Sequence, residues 1–255
     1  MEVINFKEGV LKMKDKVVYE VLRVIDGKPL FLEDHLERMK NSFDLINEEF
    51  PLKNQEIKEK IKNLINKENK LFGNIKITYS ITENNLDIFF IKHSYPTDKM
   101  YNDGVKVILY FGERENPNAK IVNDNFRSGV NKEIENNGAY EAILIDRNGF
   151  ITEGSRSNIF MIKDNVILTS PTKAVLPGVT RKKVFELANQ LGFRVEEQEY
   201  SYKKINELDG MFISGTSPKI LPISLVNDIK FNEKNSIILK LMKAYDDNVN
   251  KYLND

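Results

Sequence analysis

Residues 149–160 read Gly-Phe-Ile-Thr-Glu-Gly-Ser-Arg-Ser-Asn-Ile-Phe, and no other stretch constrains the fold of this chain as strongly. One carboxylate, two glycines and a set of hydroxyl and amide groups lie between two apolar runs, the pattern of strand, polar connection and strand. A Glu at a buried strand edge needs a partner, because an unpaired carboxylate is costly to ionise away from water. Glu153 is therefore a candidate site residue. A hairpin connection with Gly149 at the turn and Glu153 solvated is the competing reading, and this segment alone leaves both open.

The rest of the chain alternates strand and helix signals in blocks. Val17–Ile25 is rich in β-branched residues and ends at Asp26-Gly27, which predicts a strand and a hairpin into residues 29–32. Asp34 is a candidate cap for a helix whose apolar face carries Leu36, Met39, Phe43 and Ile46. A second helix over 54–68, strands over 75–81 and 86–91 and a further strand over 105–111 follow, a segregated α+β layout with an antiparallel sheet. The polar, proline-bearing segment 112–118 predicts a linker between a smaller N-terminal domain, 1–111, and a larger one, 119–255. The second half reads as a helix over 123–136, strands over 140–146, 157–162 and 166–168, a helix from about Thr180 stopped by Gly192, and a C-terminal helix over 236–253.

Composition narrows the chemistry. The 255 residues carry 38 basic and 38 acidic side chains, so no global field draws the protein to nucleic acid or an anionic membrane. Cysteine is absent and histidine occurs twice, which excludes disulfides and thiol catalysis and leaves little for a zinc site. Lysine, carboxylates and hydroxyls are the remaining reagents. The segment Met1–Glu8 has no apolar leader and no apolar run reaches the span of a bilayer, so a cytoplasmic protein is expected.

Two glycine-bearing turns stand out: Leu176-Pro177-Gly178-Val179-Thr180-Arg181, ahead of a helix, and Ser214-Gly215-Thr216-Ser217. The N–H groups of Val179 and Thr180 and the helix dipole would favour a phosphate, although neither turn has a Walker or dinucleotide spacing. Together with Tyr19-Glu20-Val21, residues 33–39 (Glu-Asp-His-Leu-Glu-Arg-Met), Lys120 with Asn123, Tyr140-Glu141-Ala142-Ile143-Leu144 and residues 152–158, these turns resemble the class IV aminotransferases. These are the fold-type-IV pyridoxal phosphate enzymes, among them branched-chain and D-amino acid aminotransferases and aminodeoxychorismate lyase. The resemblance runs from about Val17 to Ile223 with the motifs in family order.

It implies a two-domain α+β enzyme with a β-barrel-like core in the C-terminal domain, pyridoxal 5′-phosphate in the interdomain cleft, and a homodimer. It places the Schiff-base lysine at Lys120, a helix and a strand before the pyridine-binding Glu153. It implies phosphate contacts from Arg38, Val179, Thr180 and Thr216, and substrate contacts from Tyr19 and Ser217. Arg156 departs from the Gly or Ser usual in that loop. Relatives also carry a carboxylate-clamping arginine after a first-domain strand, where this chain has Ile77-Thr78-Tyr79-Ser80-Ile81 and no arginine follows, so Arg156 substitutes or the contact is lost. The implied activity is amino-group transfer between an amino acid and a 2-oxo acid. The alternative is formation of 4-aminobenzoate from aminodeoxychorismate, and the remote alternative is a non-catalytic ligand-binding homologue.

Overall fold

The computed structural model describes residues 16–114, 116–122 and 124–254. The reading of Met1–Glu8 and the pairing of Asn123 with Lys120 lie outside them. In the first half, β1 (Val17–Ile25) turns through β2 (Lys28–Pro29) into α1 (Leu32–Asp44), followed by α2 (Asn54–Glu68), β3 (Gly73–Ser80) and β4 (Asn85–Ile91). These strands form an antiparallel sheet in the order β2-β1-β3-β4. Alternation divides β1 cleanly. Val18, Leu22 and Val24 face a core with Leu36, Met39 and Phe43 of α1, Ile57, Ile61 and Ile65 of α2, and Ile75 and Ile77 of β3. Tyr19, Val21 and Arg23 take the other face, directly across from Thr78, Lys76 and Asn74. That face is the floor of the site described below.

Helix α1 begins at Leu32, two residues before the expected cap, and its N-cap is Phe31 in the left-handed region (φ 51°) without a side-chain cap bond. Burial decides the start, because the Phe31 ring packs edge-on against Tyr245 and Tyr252. Such a conformation costs a non-glycine residue roughly 1 kcal/mol, which burial of the ring offsets. Asp34 sits inside the first turn and pairs with Lys182 at 2.6 Å and Lys183 at 3.2 Å.

The chain continues through α3 (Asp98–Asp103), β5 (Val105–Phe111), α4 (Asp124–Asn136), β6 (Glu141–Ile145), β7 (Phe150–Gly154), β8 (Asn158–Lys163), β9 (Val166–Thr169) and α5 (Val179–Gln190). It ends with β10 (Val195–Glu197), β11 (Tyr200–Ser201), β12 (Gly210–Gly215), β13 (Lys219–Val226), β14 (Ile229–Lys230) and α6 (Ser236–Asn254). Strands β8-β12-β13-β5-β6-β7 pair in that order, and β7 pairs again with β8 at Glu153 and Asn158, closing a six-stranded barrel. Its interior holds Val107, Ile143, Ile159, Met161, Met211, Ile213 and Leu221. The outward Phe160, Ile162, Phe212 and Ile220 are covered by α5 and α6 through Val184, Leu187, Ile238 and Leu241. Strand β5 belongs to this barrel through parallel pairing with β13 and β6. Sheet membership therefore changes between β4 and β5, N-terminal to the polar segment 112–118, which returns to the first half and lays Ile121 beside Val18.

Candidate active site

Two segments meet β1 and β3, that of Lys120 and the Ser214–Ser217 turn. The first carries Lys120: its backbone accepts from Tyr19 N at 3.0 Å and donates to Ser42 Oγ at 3.3 Å, while its Nζ lies 4.7 Å from the centre of the Tyr19 ring. Burial lowers the Lys120 pKa, and the positive charges of Arg38 and Arg114 push the same way. The result is an amine with an enhanced neutral population, the form that attacks a carbonyl or accepts a proton.

Glu153 lies at the seam where the barrel closes. Its Oε1 accepts from Arg114 Nη1 at 3.1 Å and its Oε2 from the Leu176 N–H at 2.8 Å. Burial raises its pKa, against the pull of Arg114 and Lys120. The guanidinium of Arg114 also donates to the Ala119 carbonyl at 3.0 Å, so one side chain ties the carboxylate to the residue before the lysine. The partner that the position of Glu153 demands is thus in place within the chain, with a cationic ring nitrogen as a further candidate.

Anion-binding groups collect on the helix side. Helix α5 starts at Val179 behind Gly178 with no side-chain cap bond, leaving the first N–H groups of the turn for a ligand. A Cβ on Gly178 would come within 2.1 Å of Asn158 Oδ1, so a larger residue there would displace the Asn158 amide. Asn158 in turn donates to the Leu176 carbonyl at 2.8 Å. Arg38 is held by Glu20 through Nε at 2.7 Å and Nη2 at 2.6 Å, which leaves Nη1 outside the pair. Although burial opposes it, Arg38 and the His35 ring at 2.8 Å hold the Glu20 carboxyl well below the usual carboxylate range. Burial lowers the His35 pKa, against the pull of Glu20, and the ring Nδ1 lies within hydrogen-bond distance of the Glu20 carboxylate. Thr216 docks against the same strand through Val21 O at 3.3 Å. These donors, the lysine and the carboxylate suit a phosphorylated pyridine aldehyde: an uncapped helix N-terminus for phosphate, a neutral amine for the aldehyde, and a carboxylate for the ring nitrogen.

The structure distributes the residues singled out in the sequence unevenly. Lys120 is close enough to Arg38 and Tyr19 for their charges to act on it, and its own charge acts on Glu153. Thr180 lies buried on α5, bonded to Tyr245, beside a buried Val179. Ser217 Oγ accepts from Asn74 Nδ2 at 2.8 Å, which places the Ser214–Ser217 turn against β3. The Arg156 guanidinium is exposed and donates to the Tyr140 carbonyl at 3.4 Å, while its backbone N–H meets Glu141. Glu141 is itself a buried clamp, accepting from Ala142 N, Ser155 Oγ and Ser157 Oγ, and it fixes the loop that follows Glu153.

Three arginines escape the sequence reading. Arg114 bridges Glu153 and Ala119 as described. Arg127 donates to the Tyr19 hydroxyl at 3.0 Å. Arg23 stacks its guanidinium 3.9 Å from the centre of the Tyr95 ring, and its Nε and Nη1 are buried without a hydrogen-bond partner. Strand alternation places Arg23 on the face of Tyr19, so this one was legible; Arg114 lies in a loop and Arg127 on the first turn of a helix, where periodicity says nothing about direction.

The family model of amino-transferase class IV matches residues 17–226, and the chain belongs to that family. The family is dependent on pyridoxal phosphate. The chain is 32% identical, over 81% of its length, to branched-chain-amino-acid aminotransferase-like protein 2 of Arabidopsis thaliana, but the match spans only 40% of that protein. Among solved structures it is similar to the branched-chain amino acid aminotransferase of Escherichia coli, with 26% identity and a TM-score of 0.81 over 92% of this chain and 86% of that one. It shares its fold with a putative 4-amino-4-deoxychorismate lyase of Legionella pneumophila, with 23% identity and a TM-score of 0.83 over 91% of each chain. Among the described residues, no helix is long and apolar enough to cross a membrane.

Proposed function

We propose that this protein is a pyridoxal phosphate-dependent aminotransferase that exchanges an amino group between an amino acid, of the branched-chain or D type, and a 2-oxo acid. The observation that carries the reading is the juxtaposition of the buried Lys120 amine with Glu153 and the Arg38 cradle. Bound there, the cofactor supplies an electron sink for the charge that develops at the substrate Cα. Lys120 Nζ would hold the cofactor covalently in the resting enzyme and would serve as general base for the substrate α-proton, a role its lowered pKa favours. Glu153 keeps the ring nitrogen protonated, and Arg114 and the Leu176 N–H hold that carboxylate in place. Arg38, Val179, Thr180 and Thr216 hold the phosphate. Ser217 with Asn74 and Arg23 receives the substrate carboxylate, which would satisfy the unpartnered guanidinium nitrogens.

The reading includes a cytoplasmic homodimer. The exposed Leu71 and Phe72 before β3 and Phe89 on the edge strand β4 supply apolar surface for a second copy. Elimination from aminodeoxychorismate is the second reading, favoured by the close likeness of fold to the Legionella protein.

A single-turnover assay separates the two. An amino acid is expected to convert the bound cofactor to its pyridoxamine form, seen as loss of the long-wavelength absorbance; an enzyme that releases 4-aminobenzoate and never makes that conversion is a lyase. Replacing Glu153 with Gln is expected to slow the conversion about a hundredfold, since a preorganised charge partner at a reacting centre contributes on that order. Stopped-flow absorbance on the variant checks this, and an unchanged rate would remove Glu153 from the electron-sink role.

A further inference from the structure

Helix α1 carries Arg38, yet the residues that lead into it belong to the other half of the molecule. Leu30 and Phe31 pack with Val184 of α5 and Ile238, Leu241 and Tyr245 of α6, whereas Leu32 packs with Leu36 and Met39 under the first sheet. The chain passes from one core to the other between Phe31 and Leu32. Helix α1 has no cap bond from its own N-cap residue, and its first donor is met from 220 residues away. The Leu32 N–H donates to the Tyr252 hydroxyl, in the last turn of α6, at 3.2 Å, and that hydroxyl donates to Glu33 Oε2 at 2.9 Å. One hydroxyl thus does from the second half what an N-cap side chain does locally. Burial and Glu33 push the Tyr252 pKa up to about 12, so the proton it donates stays in place. The Tyr252 ring stands edge-on 5.0 Å from Phe31, Lys28 Nζ donates to the Leu253 carbonyl, and Lys58 holds the other Glu33 oxygen at 3.0 Å.

This junction bears on the phosphate cradle because the cradle is divided between the halves. Arg38 comes from α1, six residues or about 9 Å along the helix from Leu32, and Val179 and Thr180 come from the start of α5. Tyr245 joins the two ends, since it bonds Thr180 and packs edge-on against Phe31. Lys120 and Glu153, by contrast, both follow β5 and belong to the second half. Of the groups on a phosphorylated pyridine aldehyde, the phosphate is the one that both halves must hold at once.

We propose that Tyr252 is a positioning residue that fixes α1 against the second half, and so sets Arg38 opposite the α5 turn for the cofactor phosphate. The proposal rests on the phosphate contacts assigned under the proposed function. Without the hydroxyl, the start of α1 is uncapped and Arg38 is in register for only part of the time, and apparent affinity falls by that fraction. Asp34 with Lys182 and Lys183 remains as a second tie between α1 and α5, so the loss is partial. It is confined to ligands that carry the phosphate.

The test titrates the full chain with pyridoxal 5′-phosphate and with pyridoxal, which lacks the phosphate, and follows the long-wavelength absorbance. Wild type is compared with Tyr252→Phe, Tyr252→Leu and Tyr200→Phe. The last removes a hydroxyl bonded to the Lys204 carbonyl at 2.9 Å, a bond of the same kind that does not touch α1. Tyr252→Phe is expected to weaken pyridoxal 5′-phosphate about fivefold, the size of one neutral hydrogen bond, and to leave pyridoxal unchanged. Tyr252→Leu, which also loses the ring against Phe31, is expected to lower the ratio of the two affinities further, and Tyr200→Phe to keep the wild-type ratio. A wild-type ratio in Tyr252→Phe overturns the proposal, whether neither aldehyde is weakened or both are weakened alike, and so does an equal fall of the ratio in Tyr200→Phe. A wild type that binds the two aldehydes equally overturns the phosphate contacts and the positioning role together, whereas a wild-type preference that survives Tyr252→Phe overturns the positioning role alone.

Discussion

Replacing Lys120 with Ala is expected to abolish covalent attachment of the cofactor and to lower turnover about a thousandfold or more, the loss that follows when one side chain is both anchor and general base. The variant is expected to fold. The structural bonds of residue 120 are made by its backbone, with Tyr19 N and Ser42 Oγ, and its Nζ rests over the Tyr19 ring with burial working against its charge. Removing a buried amine of that kind leaves stability unchanged or raises it. Thermal melts, absorbance of the loaded protein and half-reaction rates check the three statements together. A Lys120→Ala protein that keeps its colour after dialysis and still turns over would place the chemistry on another lysine.

The second large effect concerns stability. Glu20 is fully buried under α1 and meets Arg38 through both oxygens and His35 through one. Glu20→Gln leaves the Arg38 charge buried without a counter-charge, which is expected to cost about 3–5 kcal/mol. For a chain of this size that corresponds to a fall in Tm of roughly 10 °C. The same change frees Arg38 from the orientation fixed by Glu20, in which the proposed phosphate contact would use Nη1, so cofactor affinity is expected to fall as well. Because the folded Glu20 titrates below its ordinary value of 4.5, its contribution is complete above that pH and is lost as pH falls toward the folded value. The Gln variant is therefore expected to lack part of the acid-induced loss of stability seen in the wild type. Replacing Glu20 and Arg38 together with Met removes both charges and is expected to recover much of the stability without the cofactor affinity. Urea melts from pH 3 to 8 on the three proteins separate these outcomes.

Much of the architecture was legible because long periodic segments carry their own instructions. The nine-residue β1, rich in β-branched residues, and the isoleucine stripe of α2 appear in the structure with the bounds read from the sequence. Where tertiary packing outweighs local signals, the reading departs from the structure. Asp34 is a good cap by type, yet burial of Phe31 starts α1 earlier and turns Asp34 into an ion-pair partner of α5. Strands β12 and β13 carry the Ser214–Ser217 turn but were not read as strands; Pro222 lies within β13, and proline within a run speaks against a strand. Strand β5 reads as a strand either way, and nothing local tells it which sheet to join. In the site, motif order singles out Lys120 and Glu153 as candidates, whereas the bonds of Arg114 and Arg127 depend on directions that only the folded chain defines.

The central claim is that Lys120 carries the cofactor beside Glu153. Borohydride reduction of the loaded protein, followed by proteolysis and mass mapping of the peptides, tests it most directly. The account predicts one modified peptide, containing Lys120, with the pyridoxyl mass addition on that side chain and none on Lys76 or Lys132. A label on a different lysine, or a protein that takes up no label after incubation with pyridoxal 5′-phosphate, would contradict it.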